Sequence, residues 1–263
     1  MMATLLTSRA VVRLSPLDQA EDVAAFLQGL VTNDVTGPLP CYAALLSAQG
    51  KHLFDFLVWR EDADLLLDCE AAHADELVKR LSMYRLRRKI GIAREAHLGV
   101  YWHPTEPQNL SHIPGRPPGL NASSALLAPD PRLAAIGFRW ITARDEAHDE
   151  SADAHYLAHR LRLGVPEGHA EMGDILWLET NAVELNGVSF TKGCYVGQEN
   201  TARMNWRQKI NRRLVVVPLA ESDEARRKAA YPDLGRAVDH LRVESLDPAA
   251  LPDWQRVGVQ AET

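Results

Sequence analysis

The residue types best suited to chemistry lie in one octapeptide, Lys192-Gly-Cys-Tyr-Val-Gly-Gln-Glu199. Cys194 follows the ammonium group of Lys192 by two residues, and a helical pattern begins where the octapeptide ends. A nearby positive charge and a helix N-terminus both favour the thiolate form, so Cys194 is a candidate reactive thiol. Gly193 and Gly197 allow a tight turn or a close backbone approach to a ligand. The alternative is a simple turn in which the cysteine is a small buried filler.

Two acidic residues interrupt apolar sequence. Asp55 lies within Leu53-Phe-Asp-Phe-Leu-Val58, and Glu179 follows the apolar run 176–178. A carboxylate in such surroundings requires a partner, because burying a bare charge is costly. We expect Asp55 to accept a hydrogen bond from a ligand N–H or to move a proton. We expect Glu179 to bind the N–H edge of a heterocycle through two parallel hydrogen bonds. The alternative for each is a carboxylate that points into solvent.

Aromatic residues and histidines add weaker signals. Four aromatic side chains are candidates to stack on a flat ligand, with core packing as the alternative for each: Trp177, Trp206, Tyr84 and Tyr195. His155 and His159 are four residues apart but lie in a segment of mixed polarity, so we expect no metal site. No glycine-rich phosphate-binding motif is present in the sequence.

Positive charge is concentrated in two windows of an otherwise acidic chain. Of 29 Lys and Arg and 35 Asp and Glu residues, the windows 79–94 and 192–213 hold 13 basic residues and one acidic residue, which leaves 16 basic and 34 acidic residues elsewhere. Two such windows can focus a positive field on one anionic ligand. The alternative is two solvated basic faces that are unrelated in space. We expect no nucleic-acid partner, because the acidic remainder repels a long phosphate backbone.

The composition is that of an ordinary globular protein, with 46% hydrophobic and 24% charged residues among 263. No apolar run approaches the roughly 20 residues that a membrane span needs, so we expect no membrane partner. Cys41, Cys69 and Cys194 lack Cys-x-x-Cys spacing. This indicates a reducing compartment and argues against a structural zinc site or a built-in iron–sulfur cluster.

The elements that must position these residues are strands and helices mixed without regular βαβ alternation, which favours the α+β class. Periodicity and turn residues predict strands at 9–14, 41–47, 52–60, 65–69, 84–92, 136–142 and 213–219. They predict helices at 16–29, 72–83 and 151–163, and another that begins at Gln198. Proline-rich residues 103–131 predict a long loop between subdomains, and Asn186-Gly187 predicts a β-hairpin.

The octapeptide resembles the signature of the YgfZ family, folate-binding proteins related to the glycine-cleavage aminomethyltransferases. Four further segments resemble parts of the same family: 26–35, 49–60, 176–181 and 185–190. The resemblance covers residues 10–220. It implies an α+β, aminomethyltransferase-like (GcvT-like) fold with tetrahydrofolate in a central hole and a small C-terminal β-barrel.

The same resemblance implies a role in iron–sulfur cluster assembly or repair, with iron–sulfur enzymes or assembly factors as partners. The implied cofactor is tetrahydrofolate or a one-carbon or polyglutamylated derivative. The implied location is the cytoplasm of a bacterium or the mitochondrial matrix of a eukaryote.

Site residues follow from matching positions. Asp55 falls where the aminomethyltransferases keep a catalytic aspartate, and Glu179 falls where they keep a carboxylate that binds the pterin. Asp55 and Cys194 are therefore the predicted catalytic residues. The predicted cofactor-binding residues are Glu179, Asp55, Lys192, Tyr195, Gln198, Arg203, Arg85 and Arg87. The three arginines are assigned to the anionic glutamate tail from their charge alone.

The C-terminal part departs from the family pattern. Only the charged segment 220–230 separates the predicted strand 213–219 from Tyr231, where relatives continue through several strands. We expect a shortened β-barrel, or helical packing in its place. We predict three parts: 1–102, 103–211 with the octapeptide, and 212–263.

Two rival functions stay open beside an accessory role in iron–sulfur cluster assembly. A tetrahydrofolate-dependent aminomethyltransferase that acts on a lipoyl carrier protein is favoured by Asp55 and disfavoured by the octapeptide. A binding module that has lost folate is the other. Whether the protein is an enzyme is left open by the sequence.

Overall fold

The computed structural model describes residues 4–107, 126–144, 150–207 and 210–260. The chain forms two compact units. The first comprises Met1–Gln28, Val35–Tyr42 and Phe56–Leu157, and the second comprises Gly29–Asp34, Ala43–Asp55 and Ala158–Thr263. The mixture of helices and antiparallel sheets confirms the α+β class. The division at residues 102 and 211 stays a prediction about domains.

A five-stranded sheet has the order β2-β3-β4-β1-β5. Its strands are β1 (Arg9–Pro16), β2 (Cys41–Leu46), β3 (His52–Glu61), β4 (Asp64–Glu70) and β5 (Ile90–Arg94). Strand β1 pairs antiparallel with β4 and β5, and β3 pairs antiparallel with β4. The predicted strands 41–47 and 52–60 are confirmed, and Asp55 therefore lies inside β3.

The predicted helix 16–29 is wrong over its first half. Ser15 and Pro16 pair with Gly91 and Ile90 of β5, so they end a strand and do not begin a helix. Helix α1 (Val23–Gln28) begins after Asp22, whose carboxylate accepts a hydrogen bond from the Ala25 N–H at 2.9 Å.

The basic segment 84–92 also differs from its prediction as a strand. Helix α2 (Ala74–Arg85) takes up its first residues, and β5 begins only at Ile90. A tight turn joins them, in which the Arg88 N–H donates to the Arg85 carbonyl at 2.9 Å. Leu86 occupies this turn with φ 51° and ψ −113°.

The first unit contains a three-stranded sheet with the order β6-β8-β7. Its strands are β6 (Leu98–His103), β7 (Leu126–Pro129) and β8 (Phe138–Ala143). Most of the predicted loop 103–131 lies outside the described residues, and its last part forms β7. Helix α3 (Asp153–Arg162) confirms the helix predicted at 151–163 and passes from the first unit into the second.

Buried ion pairs tie the first unit together. The Arg139 guanidinium lies 2.7 Å from Asp68 and 3.1 Å from Asp130, and all three side chains are fully buried. Arg132 pairs with Asp130 at 2.7 Å, and Arg9 pairs with Asp68 at 2.6 Å. A buried charge is tolerated only with such partners, so these contacts make the unit dependent on each member.

The second unit brings the β2–β3 turn beside a helical segment. The Trp177 N–H donates to the Gly50 carbonyl at 2.9 Å, and the His52 N–H donates to the Ile175 carbonyl at 2.8 Å. The short helix α4 (His169–Met172) and a 3-10 turn (Trp177–Thr180) flank this contact in sequence. Helix α5 (Gln198–Arg207) begins where the sequence predicts it.

The predicted hairpin at Asn186-Gly187 is wrong. The Leu185 N–H donates to the Asn181 carbonyl at 3.0 Å, and the Gly187 N–H donates to the Ala182 carbonyl at 2.6 Å, which are helical-turn contacts. Asn186 has φ 55°, a left-handed conformation that ends such turns as well as it forms hairpins.

A small antiparallel sheet occupies the C-terminal part, with the order β10-β11-β9. Its strands are β9 (Arg212–Pro218), β10 (Arg227–Tyr231) and β11 (Arg236–Arg242), and helix α6 (Asp253–Gln260) follows. The end of the charged segment 220–230 therefore belongs to β10. Within the described ranges no helix is long and apolar enough to cross a membrane.

Candidate functional site

The octapeptide places its lysine and its cysteine in different environments. The Lys192 ammonium donates to the Val31 carbonyl at 2.5 Å and lies 4.9 Å from the centre of the Tyr195 ring. Cys194 is exposed. The alternative of a buried filler is therefore wrong for Cys194, whose thiol is open to solvent.

Tyr195 forms the buried side of the octapeptide, with 8% of its surface exposed. Burial raises the pKa of its hydroxyl, and a hydrogen bond with Thr201 opposes this effect only in part. Tyr195 therefore stays neutral, and its ring faces the Lys192 ammonium as a cation–π partner. Gln198, half-buried, begins α5 directly after this turn.

Asp55 is paired with a histidine. Its Oδ1 atom lies 3.0 Å from Nε2 of His52, and the two side chains are 2% and 1% exposed. His52 begins β3, and its ring stacks on Trp177 with 5.9 Å between ring centres and 20° between planes. The ring of His169, from α4, lies 6.2 Å away. The expected buried carboxylate is thus present, within an aromatic surrounding.

Glu179 is also paired with a histidine. Its Oε2 atom lies 2.9 Å from Nε2 of His240 on β11, and the side chains are 12% and 17% exposed. The Glu179 carboxylate is therefore neither free in solvent nor fully buried. A ligand that binds this oxygen must share it with His240 or displace that ring.

The predicted basic residues are divided between the units. Arg203, in the second unit, is exposed and pairs with Glu199 one helical turn earlier at 3.1 Å. Arg85 and Arg87 belong to the first unit. Arg85 donates to the Ile90 carbonyl at 3.0 Å and so supports its own turn, whereas Arg87 is exposed. Their assignment to a ligand tail stays a prediction.

Two histidines, His52 and His240, were not predicted as site residues. Each is the partner of a predicted carboxylate. No spacing rule for strands brings residues 52 and 55 together, since positions three apart in a strand point to opposite faces. His240 is 61 positions from Glu179. Only the folded chain shows these pairs.

The second unit contains hydrogen-bond acceptors of the kind that bind the N–H groups of a heterocycle. It offers two carboxylates withdrawn from solvent, the imidazoles that hold them, and the indole of Trp177. No cluster of three or more potential metal ligands occurs among the described residues.

The fold is that of a known class. A crystal structure of the glycine cleavage system aminomethyltransferase T from Bartonella henselae superposes with a TM-score of 0.59, at 11% sequence identity, over 92% of this chain and 79% of that protein. At this identity the likeness defines the fold alone. It confirms the aminomethyltransferase-like fold with a small C-terminal sheet domain.

Sequence similarity leads to a second group of proteins. The chain is 35% identical over 228 residues to the human mitochondrial iron–sulfur cluster assembly factor IBA57, and 36% identical over 241 residues to the mouse protein. It is 30% identical over 286 aligned positions to the homologue from Neurospora crassa. These alignments include 74%, 81% and 98% of this chain.

The chain spans only 61% to 65% of the length of these curated relatives. All three are mitochondrial by name. No protein-family model matches the sequence.

Proposed function

We propose that the protein is an accessory factor in iron–sulfur cluster assembly or repair that binds tetrahydrofolate or a derivative. The assembly role is supported by similarity to assembly factors of human, mouse and Neurospora crassa along most of this chain. The observation that carries the ligand part is the pair of carboxylates, Asp55 and Glu179, both withdrawn from solvent in the second unit, with Trp177 stacked on the histidine that pairs with Asp55.

In this proposal Asp55 and Glu179 orient the reduced pterin, and Trp177 supplies an apolar surface. The octapeptide contributes three residues to the ligand site: Lys192, Tyr195 and Gln198. The residues assigned to the anionic tail of the ligand are Arg203, Arg85 and Arg87. When bound, tetrahydrofolate supplies a carrier for a one-carbon unit. Cys194 is the functional thiol, because it is exposed and so accessible to a partner protein.

Titration calorimetry with tetrahydrofolate tests the ligand part. We expect wild type to bind, and Glu179→Gln to bind at least about tenfold more weakly, because a charged acceptor is lost. Glu224→Gln removes an exposed carboxylate of the same unit and serves as the matched control. Absence of heat with wild type at millimolar ligand contradicts folate binding and supports the binding module that has lost folate.

A second candidate is a tetrahydrofolate-dependent aminomethyltransferase. The fold and a buried Asp55 favour it. A glycine-cleavage assay with tetrahydrofolate and a lipoyl carrier protein decides this question, and turnover above a no-enzyme blank would displace the accessory role.

Iron–sulfur enzymes or assembly factors are the partners that we propose. The relatives are mitochondrial by name. We therefore propose the mitochondrial matrix as the location for a eukaryotic source and the cytoplasm for a bacterial one.

A further inference from the structure

His52 has a ring nitrogen with no role in the contacts described above. The side chain is 1% exposed, and Nε2 is occupied by Asp55 at 3.0 Å. Nδ1 is buried, and the described residues offer it no hydrogen-bond partner. Such an atom loses its hydration without compensation, which destabilises the fold unless something else binds there.

The partner at Nε2 decides the tautomer. A carboxylate only accepts hydrogen bonds, so Nε2 carries the proton when it meets Asp55. In a neutral ring, Nδ1 is then a bare acceptor. Asp55 thereby fixes both the orientation and the tautomer of the ring, as an aspartate does for the histidine of a catalytic triad.

The described ring neighbours of His52 are Trp177 and His169. Trp177 covers one face of the ring, and an indole offers no acceptor in the ring plane. The ring of His169, on α4, lies 6.2 Å from the His52 ring. The neighbouring Lys51 ammonium lies at the surface and pairs with Asp174 at 2.9 Å.

We propose that His52 is a ligand-binding residue whose Nδ1 accepts a hydrogen bond from an N–H of the reduced pterin, and that Asp55 acts through Oδ1 as its positioning residue. This inference rests on the proposed function. It changes the role of Asp55, because this carboxylate oxygen supports the imidazole that meets the ligand. The ligand donor also satisfies the one buried polar atom that the protein leaves unpaired on this ring.

Nitrogen NMR of protein labelled with ¹⁵N-histidine tests the tautomer of His52 and its contact with the ligand separately. The variant His52→Gln is used to assign the signal. Without ligand, we expect His52 to carry its proton on Nε2. Asp55→Asn should move part of the population to the Nδ1–H tautomer, because the amide no longer enforces one form. A wild-type ring that is protonated on Nδ1 would overturn the assigned tautomer and the positioning role of Asp55.

Addition of saturating 5-formyltetrahydrofolate, a stable reduced folate, tests the ligand contact. We expect the Nδ1 resonance to shift as the nitrogen accepts a hydrogen bond. An ordered water at Nδ1 would leave this resonance unchanged while the folate binds, and that result would overturn the inference without touching the proposed function. Absence of binding by wild type would instead overturn the proposed function, and the ligand contact with it.

Affinity measurements give an independent readout. His52→Gln should weaken binding of the same folate by about tenfold, because one hydrogen bond in a buried site is lost. His73→Gln is the matched control, since His73 also pairs with a carboxylate three residues later, Glu76 at 3.1 Å, but at the surface of the first unit. Equal affinities of the two variants would contradict the role of His52. If His52→Gln does not fold, the spectra of the wild-type protein with and without folate decide whether Nδ1 accepts a hydrogen bond from the ligand.

Discussion

At the scale of single residues, Cys69 and Cys194 differ in what their thiols contribute. Cys69 is buried in β4, and its thiol contacts the Ala10 carbonyl at 3.6 Å. Cys194 is exposed, and its removal leaves no cavity. Packing therefore accounts for the first cysteine but not for the exposed thiol of the octapeptide.

Cys194→Ser should abolish the support of iron–sulfur enzymes while leaving the free energy of unfolding within about 0.5 kcal/mol of wild type, because the side chain makes no buried contacts. Complementation of a cell line depleted of the protein, together with urea unfolding, checks both parts. The control Cys69→Ala should lower the free energy of unfolding by about 1 kcal/mol and keep activity. Full complementation by Cys194→Ser would contradict the role of the thiol.

At the scale of elements, the two glycines of the octapeptide are not equivalent. Gly197 has φ +81°, and a Cβ atom there would lie 2.5 Å from the Ser47 carbonyl oxygen. A Cβ atom on Gly193 would meet nothing within 4 Å. Of these two glycines, Gly197 is therefore the one that makes the close approach to the β2–β3 turn.

Gly197→Ala should lower the free energy of unfolding by at least about 2 kcal/mol, because both the backbone conformation and the space exclude a side chain. Gly193→Ala, the matched variant, should change it by less than about 0.5 kcal/mol. Urea unfolding monitored by tryptophan fluorescence measures both. Equal effects would show that the turn at Ser47 yields more easily than its geometry indicates.

The turn between α2 and β5 contains a strained residue. Leu86 has φ 51° and is 85% exposed, so its side chain gains little by packing in this conformation. L-residues with a side chain avoid this region, whereas glycine adopts it without cost.

Leu86→Gly should therefore raise the free energy of unfolding by about 1 kcal/mol, since relief of strain exceeds the added chain entropy of glycine. Leu86→Ala removes the same apolar surface but keeps the strain, and should give no gain. The midpoints of thermal unfolding of the three proteins are compared. An equal rise in the unfolding midpoint of the alanine and glycine variants would show that the stabilisation comes from removing exposed apolar surface and not from relief of strain.

At the scale of the whole molecule, each unit encloses charged groups that must be paired. In the first, Asp130 meets Arg132 and Arg139. In the second, Glu171 is fully buried, pairs with Arg160 at 2.8 Å and accepts a hydrogen bond from Tyr231 of β10. Burial, aided by the Glu171 charge, raises the pKa of the Tyr231 hydroxyl, so this donor stays protonated at neutral pH.

Stability should depend on the ionisation of Asp130. Burial by itself would raise the pKa of this carboxyl, but the guanidinium groups of Arg132 and Arg139 more than offset it and hold the pKa below its ordinary value of 3.8. A lowered folded-state pKa stabilises the fold above pH 3.8, and this contribution is lost as the pH falls through the folded-state value.

Asp130→Asn should lower the free energy of unfolding at pH 7 by about 3 kcal/mol, because it removes a buried carboxylate that pairs with Arg132 and Arg139. It should also weaken the decline in stability below the ordinary aspartate pKa. Asp174→Asn, which removes an exposed pair with Lys51, is the control and should cause no measurable change. Urea unfolding across acidic pH measures both, and an unchanged acid dependence would contradict the contribution of Asp130.

The sequence by itself determined the α+β class, the strands at 41–47 and 52–60, the helix at Gln198 and the residues with chemical potential, because local periodicity and residue type carry that information. Only the tertiary structure decided that Ser15-Pro16 ends a strand, since pairing with β5 outweighs a good helix-start signal. It alone decided that Asn186 closes helical turns, since one left-handed residue suits both motifs. It also decided that His52 and His240 hold the two carboxylates, because partners in space follow from the whole chain's packing and not from spacing along it.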